Sequence, residues 1–182
     1  MTPERNRKPR PALDKEGLER LALFYAGRFA TSRAKLGAYL ARKIKERGWD
    51  EDTSHSSSGE IERLVERFTE LGYVDDRAFA SAKAAALTRR GYGTRRIEQA
   101  LRAAGIGEED GAPAREESER AGFSAALRFA QRKRIGPYAA LAPDRAERQK
   151  AFAAMLRAGH SLDLVRKILD SPPGDVPDLD LA

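Results

Sequence analysis

The chain has 182 residues, 41% hydrophobic and 34% charged, with a formal net charge of +6 and no cysteine. The missing thiols exclude disulfide staples, thiolate zinc sites and a cysteine nucleophile, and the length suits one domain or a short array of small ones. A cationic surplus favours a polyanionic partner, either nucleic acid or a protein with an acidic surface.

The opening "MTPERNRKPRPA" is basic but leads into no long apolar run, so it does not read as a secretory leader. No apolar stretch approaches the length needed to cross a bilayer. The expectation is a soluble, cytoplasmic protein without a membrane partner. Residues 1–12 read as a disordered basic arm and the Pro-rich, acidic "SPPGDVPDLDLA", 171–182, as a disordered acidic tail.

Between these ends nearly everything follows helical periodicity. Asp14 is a good N-cap for a first helix, with Leu13 and Leu18 spaced as a hydrophobic staple. Leu18, Leu21, Ala22, Tyr25 and Phe29 make its apolar stripe. Thr31 or Ser32 caps a second helix that buries Leu36, Tyr39, Leu40 and Ile44 among many basic residues. After the polar loop "DEDTSHSSSGE", Ser57 and Glu60 have capping-box spacing. A third helix follows with Ile61, Leu64, Val65 and Phe68 inward. Asp75 opens a fourth, where Val74 and Phe79 repeat the staple spacing. Thr94 opens a fifth, with Ile97, Ala100, Leu101 and Ala104 inward. "GEEDGAPAREESER" is so poor in apolar residues that it holds at best a short, weak helix after Pro113. Phe123 to Arg134 reads as helical with Phe123 and Leu127 inward and Ala130 at the margin. "GPYAALAP" is a Pro-bounded loop. Helices from Asp144 to about Ala158 and from Ser161 to about Leu169 complete the series, and no strand is expected.

Glycines at "RGW", "LGY", "AGI" and "AGH" each stand where a helix ends, as C′ residues in the left-handed conformation with the next side chain folded back. Short helices stopped this way cannot bury their stripes singly and must pack on their neighbours. The fold class expected is all-α: tandem three-helix, helix-turn-helix-like repeats, about 13–73, 74–120 and 121–170, forming an elongated curved array.

The adjacent carboxylates Asp75 and Asp76 invite a catalytic or metal reading. A cap and a first-turn acid explain them better, since no histidine, cysteine or third acid lies at helical spacing nearby. "GYG", Gly91 to Gly93, lacks the third glycine and the preceding strand of a dinucleotide loop. His55 and His160 lie far apart without a ligand cluster and read as turn residues. No nucleophile elbow occurs. The chain therefore offers no catalytic constellation and calls for no cofactor or metal. The basic residues carry more information. Arg89, Arg90, Arg95 and Arg96 straddle the "GYG" turn and should crowd one end of two helices. Arg132, Lys133 and Arg134, with Arg128, form a second cluster. Cations near helix C-termini suit the dipole, but Arg95 and Arg96 sit at an N-terminus, where it opposes them, and that suggests a binding use.

"LALFYAGRFATSRAKLGAYLARKIKERG", "IERLVERFTELGYVDDRAFA" and "RRGYGTRRIEQALRAAGI" resemble the RecX family of recombination regulators. Gly72, Tyr73, Asp75, Asp76, Phe79, Ala80, Gly91, Gly93, Ile97, Leu101, Gly105 and Ile106 match its junctions in order, and "RAGHSLDLVRKIL" resembles its final helix-turn-helix. The resemblance implies tandem three-helix repeats and a non-enzymatic monomer. Its partner would be the RecA recombinase filament on single-stranded DNA, with the DNA met directly or through the filament. It also implies inhibition of ATP hydrolysis, strand exchange and the coprotease function. Arg89, Arg90, Arg95, Arg96, Arg132, Lys133 and Arg134 are the expected filament or DNA contacts. A second reading makes "GTRRIEQALRAAGI" the recognition helix of a DNA-binding transcriptional regulator, though it carries few side chains suited to base readout. A small enzyme is the third and least supported.

Overall fold

Side chains that accept the first N–H groups of a helix set most of its starts here. The computed structural model describes residues 11–50 and 56–178; residues 1–10 of the expected arm, His55 and 179–182 of the expected tail lie outside them. The helices are α1 (Lys15–Arg28), α2 (Arg33–Arg47), α3 (Ser57–Glu70), α4 (Asp76–Arg89), α5 (Thr94–Arg102), α6 (Glu108–Arg120), α7 (Gly122–Lys133), α8 (Arg145–Arg157) and α9 (Leu162–Asp170), with one 3-10 turn at Gly136–Tyr138. Asp14 accepts from Gly17 N–H at 2.7 Å, and Ser32 accepts from Lys35 N–H at 3.2 Å. Asp144 and Glu147 close a reciprocal capping box at the start of α8. Among the described residues the fold is all-α, and its single β-bridge joins Leu13 to Trp49.

The chain divides into one unit ending at Asp76 and another beginning at Arg77. In the first, α1, α2 and α3 pack on one another around Leu13, Leu18, Leu36, Leu40, Leu64, Phe68 and Val74. Leu13 and Leu18 are both fully buried, as the staple spacing requires. Asp76 Oδ1 accepts from the Arg33 N–H at 2.8 Å, so a carboxylate 43 residues away satisfies a donor in the first turn of α2. Asp76 therefore has a structural role in another helix as well as standing first in its own. Val74 belongs to this core, whereas Phe79, its staple partner by spacing, belongs to the next.

The second unit has two cores. One is lean and alanine-rich: Phe79, Ala80, Ala84, Ile97, Leu101, Ala104, Ile106 and Ala114. The other gathers Ala126, Phe129, Ala130, Met155, Val165, Ile168 and Leu169. Every glycine singled out as a helix stop, Gly48, Gly72, Gly105 and Gly159, has positive φ.

Several local expectations need correction. α1 stops at Arg28, and Phe29 is extended and 49% exposed rather than part of the buried stripe. Ser56, not Ser57, caps α3, and its Oγ accepts from Gly59 N–H. α5 opens at Thr94 as expected, with Gly93, which has no side chain, in the N-cap position. α7 buries Ala125, Ala126, Phe129 and Ala130 fully, with Phe123 and Leu127 only partly covered. The largest difference is α6, which runs 13 residues from Glu108 straight through Pro113. Its inner face is Gly111, Ala114 and Ser118, residues small enough for close approach but nearly silent in hydropathy. Three acids in its first turn favour the dipole, and Arg115 Nη1 donates back to the Glu108 carbonyl at 2.8 Å.

Candidate functional site

The turn between α4 and α5 organises the cationic end of the second unit. Gly91 has φ +75°, and a Cβ there would lie 2.8 Å from Phe129 N and 3.2 Å from Ala125 O. Gly93 has an ordinary φ of −83°, yet its Cβ would stand 2.3 Å from Gly159 O. The two glycines thus answer different demands: the first needs the left-handed conformation and close approach to α7, the second only close approach to the 158–160 turn. Backbone bonds complete the clamp. Gly93 N–H donates to Ala158 O at 2.9 Å and Arg95 N–H to Gly159 O at 3.2 Å. Two donors at the N-terminus of α5 are therefore satisfied by the preceding turn of α9.

His160 directly follows this turn and is only 1% exposed, so it is a core residue as well as a turn residue. Its Nε2 lies 3.2 Å from Gly91 O. A carbonyl can only accept, so Nε2 carries the proton. Nδ1 is buried without a partner, and the ring meets Phe129 edge-on at 5.5 Å between centroids. Burial pushes the imidazole below its ordinary value; the Gly91 carbonyl opposes this more weakly.

The seven cations chosen from the sequence are all exposed, and none forms an ion pair with a described residue. They fall into groups. Arg90 and Arg132 meet at Tyr92, with guanidinium carbons 5.4 and 5.9 Å from the ring centroid. Arg132 also stands 5.4 Å from the Phe129 centroid and donates to the Arg90 carbonyl. Ring faces and a carbonyl thereby offset the repulsion between neighbouring guanidiniums. Tyr92, half-buried against the terminal core, is the positioning residue that the sequence left inside a turn. Arg95 and Arg96 project from the clamped first turn of α5, and Arg95 shares a crevice with Glu119 and Ser161. Arg89 lines a separate cleft with Arg128 and Glu117. Lys133 and Arg134 border a third concavity, beside α8.

A second surface group escaped sequence reasoning because Phe29 was placed inside. Phe24 and Phe29 are 58% and 49% exposed, and the Arg28 guanidinium lies 5.9 Å from each ring centroid. Tyr25 lies 5.4 Å from Phe29 and stacks on Tyr39 at 4.1 Å.

Among the described residues no group of three or more His, Cys, Asp or Glu side chains could hold a metal, and no helix is long and apolar enough to cross a membrane.

Comparison with known proteins converges. Residues 75–112 match the family described as RecX, second three-helix domain. Over 178 residues, 94% of this chain and 91% of the relative, the sequence is 34% identical to "Regulatory protein RecX" of Myxococcus xanthus. It is 28% identical to the protein of that name from Agrobacterium fabrum over 106 residues, 58% of this chain and 56% of the relative. The fold is similar to the crystal structure of RecX from Lactobacillus salivarius, with a TM-score of 0.58, 18% identity and coverage of 86% of this chain and 94% of that one. A second crystal structure, of "regulatory protein RecX", has a TM-score of 0.63 at 21% identity and covers 86% of this chain and 73% of its own.

Proposed function

The chain belongs to the RecX family of non-enzymatic regulators, and from that premise we propose that it binds the RecA filament on single-stranded DNA and inhibits ATP hydrolysis, strand exchange and coprotease action. Arg89, Arg90, Arg95, Arg96, Arg132, Lys133 and Arg134 supply the contacts, with DNA phosphates or acidic filament surface as their counterparts.

One observation carries this reading: seven exposed cations with no ion-pair partner among the described residues gather on the second unit, two of them on a helix N-terminal turn that the backbone holds in place. Guanidiniums without a carboxylate partner keep donors for an incoming anion, although Arg132 commits one to the Arg90 carbonyl, and Arg suits the bidentate recognition of phosphate or carboxylate. Tyr92 keeps Arg90 and Arg132 oriented, which lowers the side-chain ordering cost on binding.

The test is inhibition of recombinase-catalysed, DNA-dependent ATP hydrolysis by the Arg95→Glu/Arg96→Glu double variant. Both side chains are exposed and only the Arg95 backbone serves the clamp, so the variant should fold with unchanged circular dichroism. Inhibition should weaken by about tenfold or more, since each reversal replaces an attraction by a repulsion of about 1 kcal/mol or more. A folded double variant that inhibits as well as the parent removes this site assignment.

A further inference from the structure

Beside the Lys133–Arg134 end of α7, the 135–143 loop and α8 enclose an open groove of about 610 Å³. Its floor is aliphatic, with Ile135, Ala151, Ala154 and Leu169, and Leu141 stands at its lip with 81% of its surface exposed. A leucine left this open gains nothing from folding; it gains on contact with an apolar partner. The rim is cationic. Lys133, Arg134 and Lys150 pair with no described residue, whereas Arg148 is already held by Asp170 and the Leu169 carbonyl. The one carboxylate lining the groove, Glu147, is engaged with the Asp144 N–H in the α8 capping box.

Arg134 adds an independent sign of use. It is the only non-glycine residue of positive φ among those described, at +54°. Glycine would fill that position without strain. Keeping a long cation there holds a guanidinium at the groove edge at the expense of backbone comfort.

We propose that this groove docks an acidic peptide segment of a partner protein, seating a leucine-type side chain on the aliphatic floor while flanking carboxylates meet Lys133, Arg134 and Lys150. The lining decides between peptide and nucleic acid: it contains no aromatic ring on which a base could stack. An aliphatic concavity with a few placed charges is instead the chemistry of side-chain insertion. The groove shares Lys133 and Arg134 with the filament reading, but its discriminating residues, Leu141 and Lys150, are not among the filament contacts. The segment after α9 brings acids near the same loop, since Gly174 N–H donates to Pro137 O at 2.8 Å ahead of Asp175 and Asp178. It is therefore the competitor to exclude.

The experiment is fluorescence anisotropy of a labelled octapeptide of alternating Asp and Leu, titrated with the full chain at low salt. Binding should be saturable and weaken with salt. It should fall by about tenfold in Leu141→Asp and again in Lys150→Glu, both exposed positions whose variants keep the fold. Four results overturn the proposal. The first is no binding; the second is equal binding of the matching Asn–Leu peptide. The third is displacement by an equimolar oligothymidylate, which assigns the face to nucleic acid. The fourth is binding that emerges only in the Asp175→Asn/Asp178→Asn chain, which assigns the groove to the protein's own tail. Recombinase inhibition measured on the same variants reports separately on the filament reading.

Discussion

Gly72 and Gly91 form a natural controlled pair for asking what a helix-stopping glycine does. Their φ angles are +73° and +75°, so alanine meets the same left-handed penalty at each, about 1–2 kcal/mol. Loss of freedom in the unfolded chain returns about 0.4–1 kcal/mol in both cases. Around Gly72 nothing lies within 4 Å of the added Cβ, and Gly72→Ala should cost about 1 kcal/mol or less. At Gly91 the Cβ would meet Phe129 N at 2.8 Å and Phe129 Cα at 3.1 Å, backbone atoms that cannot swing aside. Overpacking of that kind adds about 1–3 kcal/mol, so Gly91→Ala should cost about 2–4 kcal/mol. Urea unfolding separates the two. Trp49, the only tryptophan, lies against the first core and reports Gly72→Ala by fluorescence, while far-UV circular dichroism also covers the second unit. If Gly91→Ala proves no more costly than Gly72→Ala, the close approach of the turn to α7 is wrong, and with it the frame holding Arg90, Tyr92 and Arg132.

Two further predictions use buried polar groups. Asp76→Ala strips an acceptor from Arg33 N–H and should destabilise the first unit by about 1–2 kcal/mol. Asp76→Asn, which keeps an acceptor, should recover part of this in the Trp49 transition. His160 gives a pH signature. Burial lowers its folded-state pKa below the ordinary 6.5, so the unfolded chain binds the extra proton first. The stability it contributes is therefore present above about pH 6.5 and is lost as pH falls from that value through the lower folded pKa. Urea midpoints should decline on acidification in the parent and more shallowly in His160→Phe; equal declines in both would refute the assignment.

What the sequence made legible was local chemistry. Asp14, Asp144 and Ser161 announce helix starts because their side chains act within three residues, and Gly48, Gly72, Gly105 and Gly159 announce stops because φ is a one-residue property. What stayed hidden depends on distant neighbours. α6 reads from the sequence as at best a short, weak helix because Gly111, Ala114 and Ser118 stabilise by closeness, which no hydropathy pattern records. Phe29 was misplaced because periodicity carried the stripe one residue past the true helix end. Asp76 reads only as a first-turn acid of its own helix because the Arg33 N–H it serves is 43 residues away. The seven cations are exposed, and their division among Tyr92, the α5 turn and the α8 groove follows from tertiary packing of the second unit, which the sequence does not display.

The clamp also changes why Arg95 and Arg96 are tolerated at a helix N-terminus. Sequence logic sets them against the positive end of the α5 dipole, which arises from unsatisfied N–H groups. Here the carbonyls of Ala158 and Gly159 accept from Gly93 and Arg95, so part of that positive potential is answered locally. Gly93 and Gly159 are what allow those carbonyls so close, because a Cβ on either would fall within 2.4 Å of the other strand of the turn. The glycines therefore do two jobs with one contact: they join the two turns, and they make a helix start on which two unpaired arginines can stand facing outward. Dipole opposition alone is then a weak reason to infer a binding role. The stronger reason is that neither guanidinium pairs with a described residue, whereas Arg20, Arg42, Arg67, Arg102 and Arg120 all find a carboxylate within 4 Å.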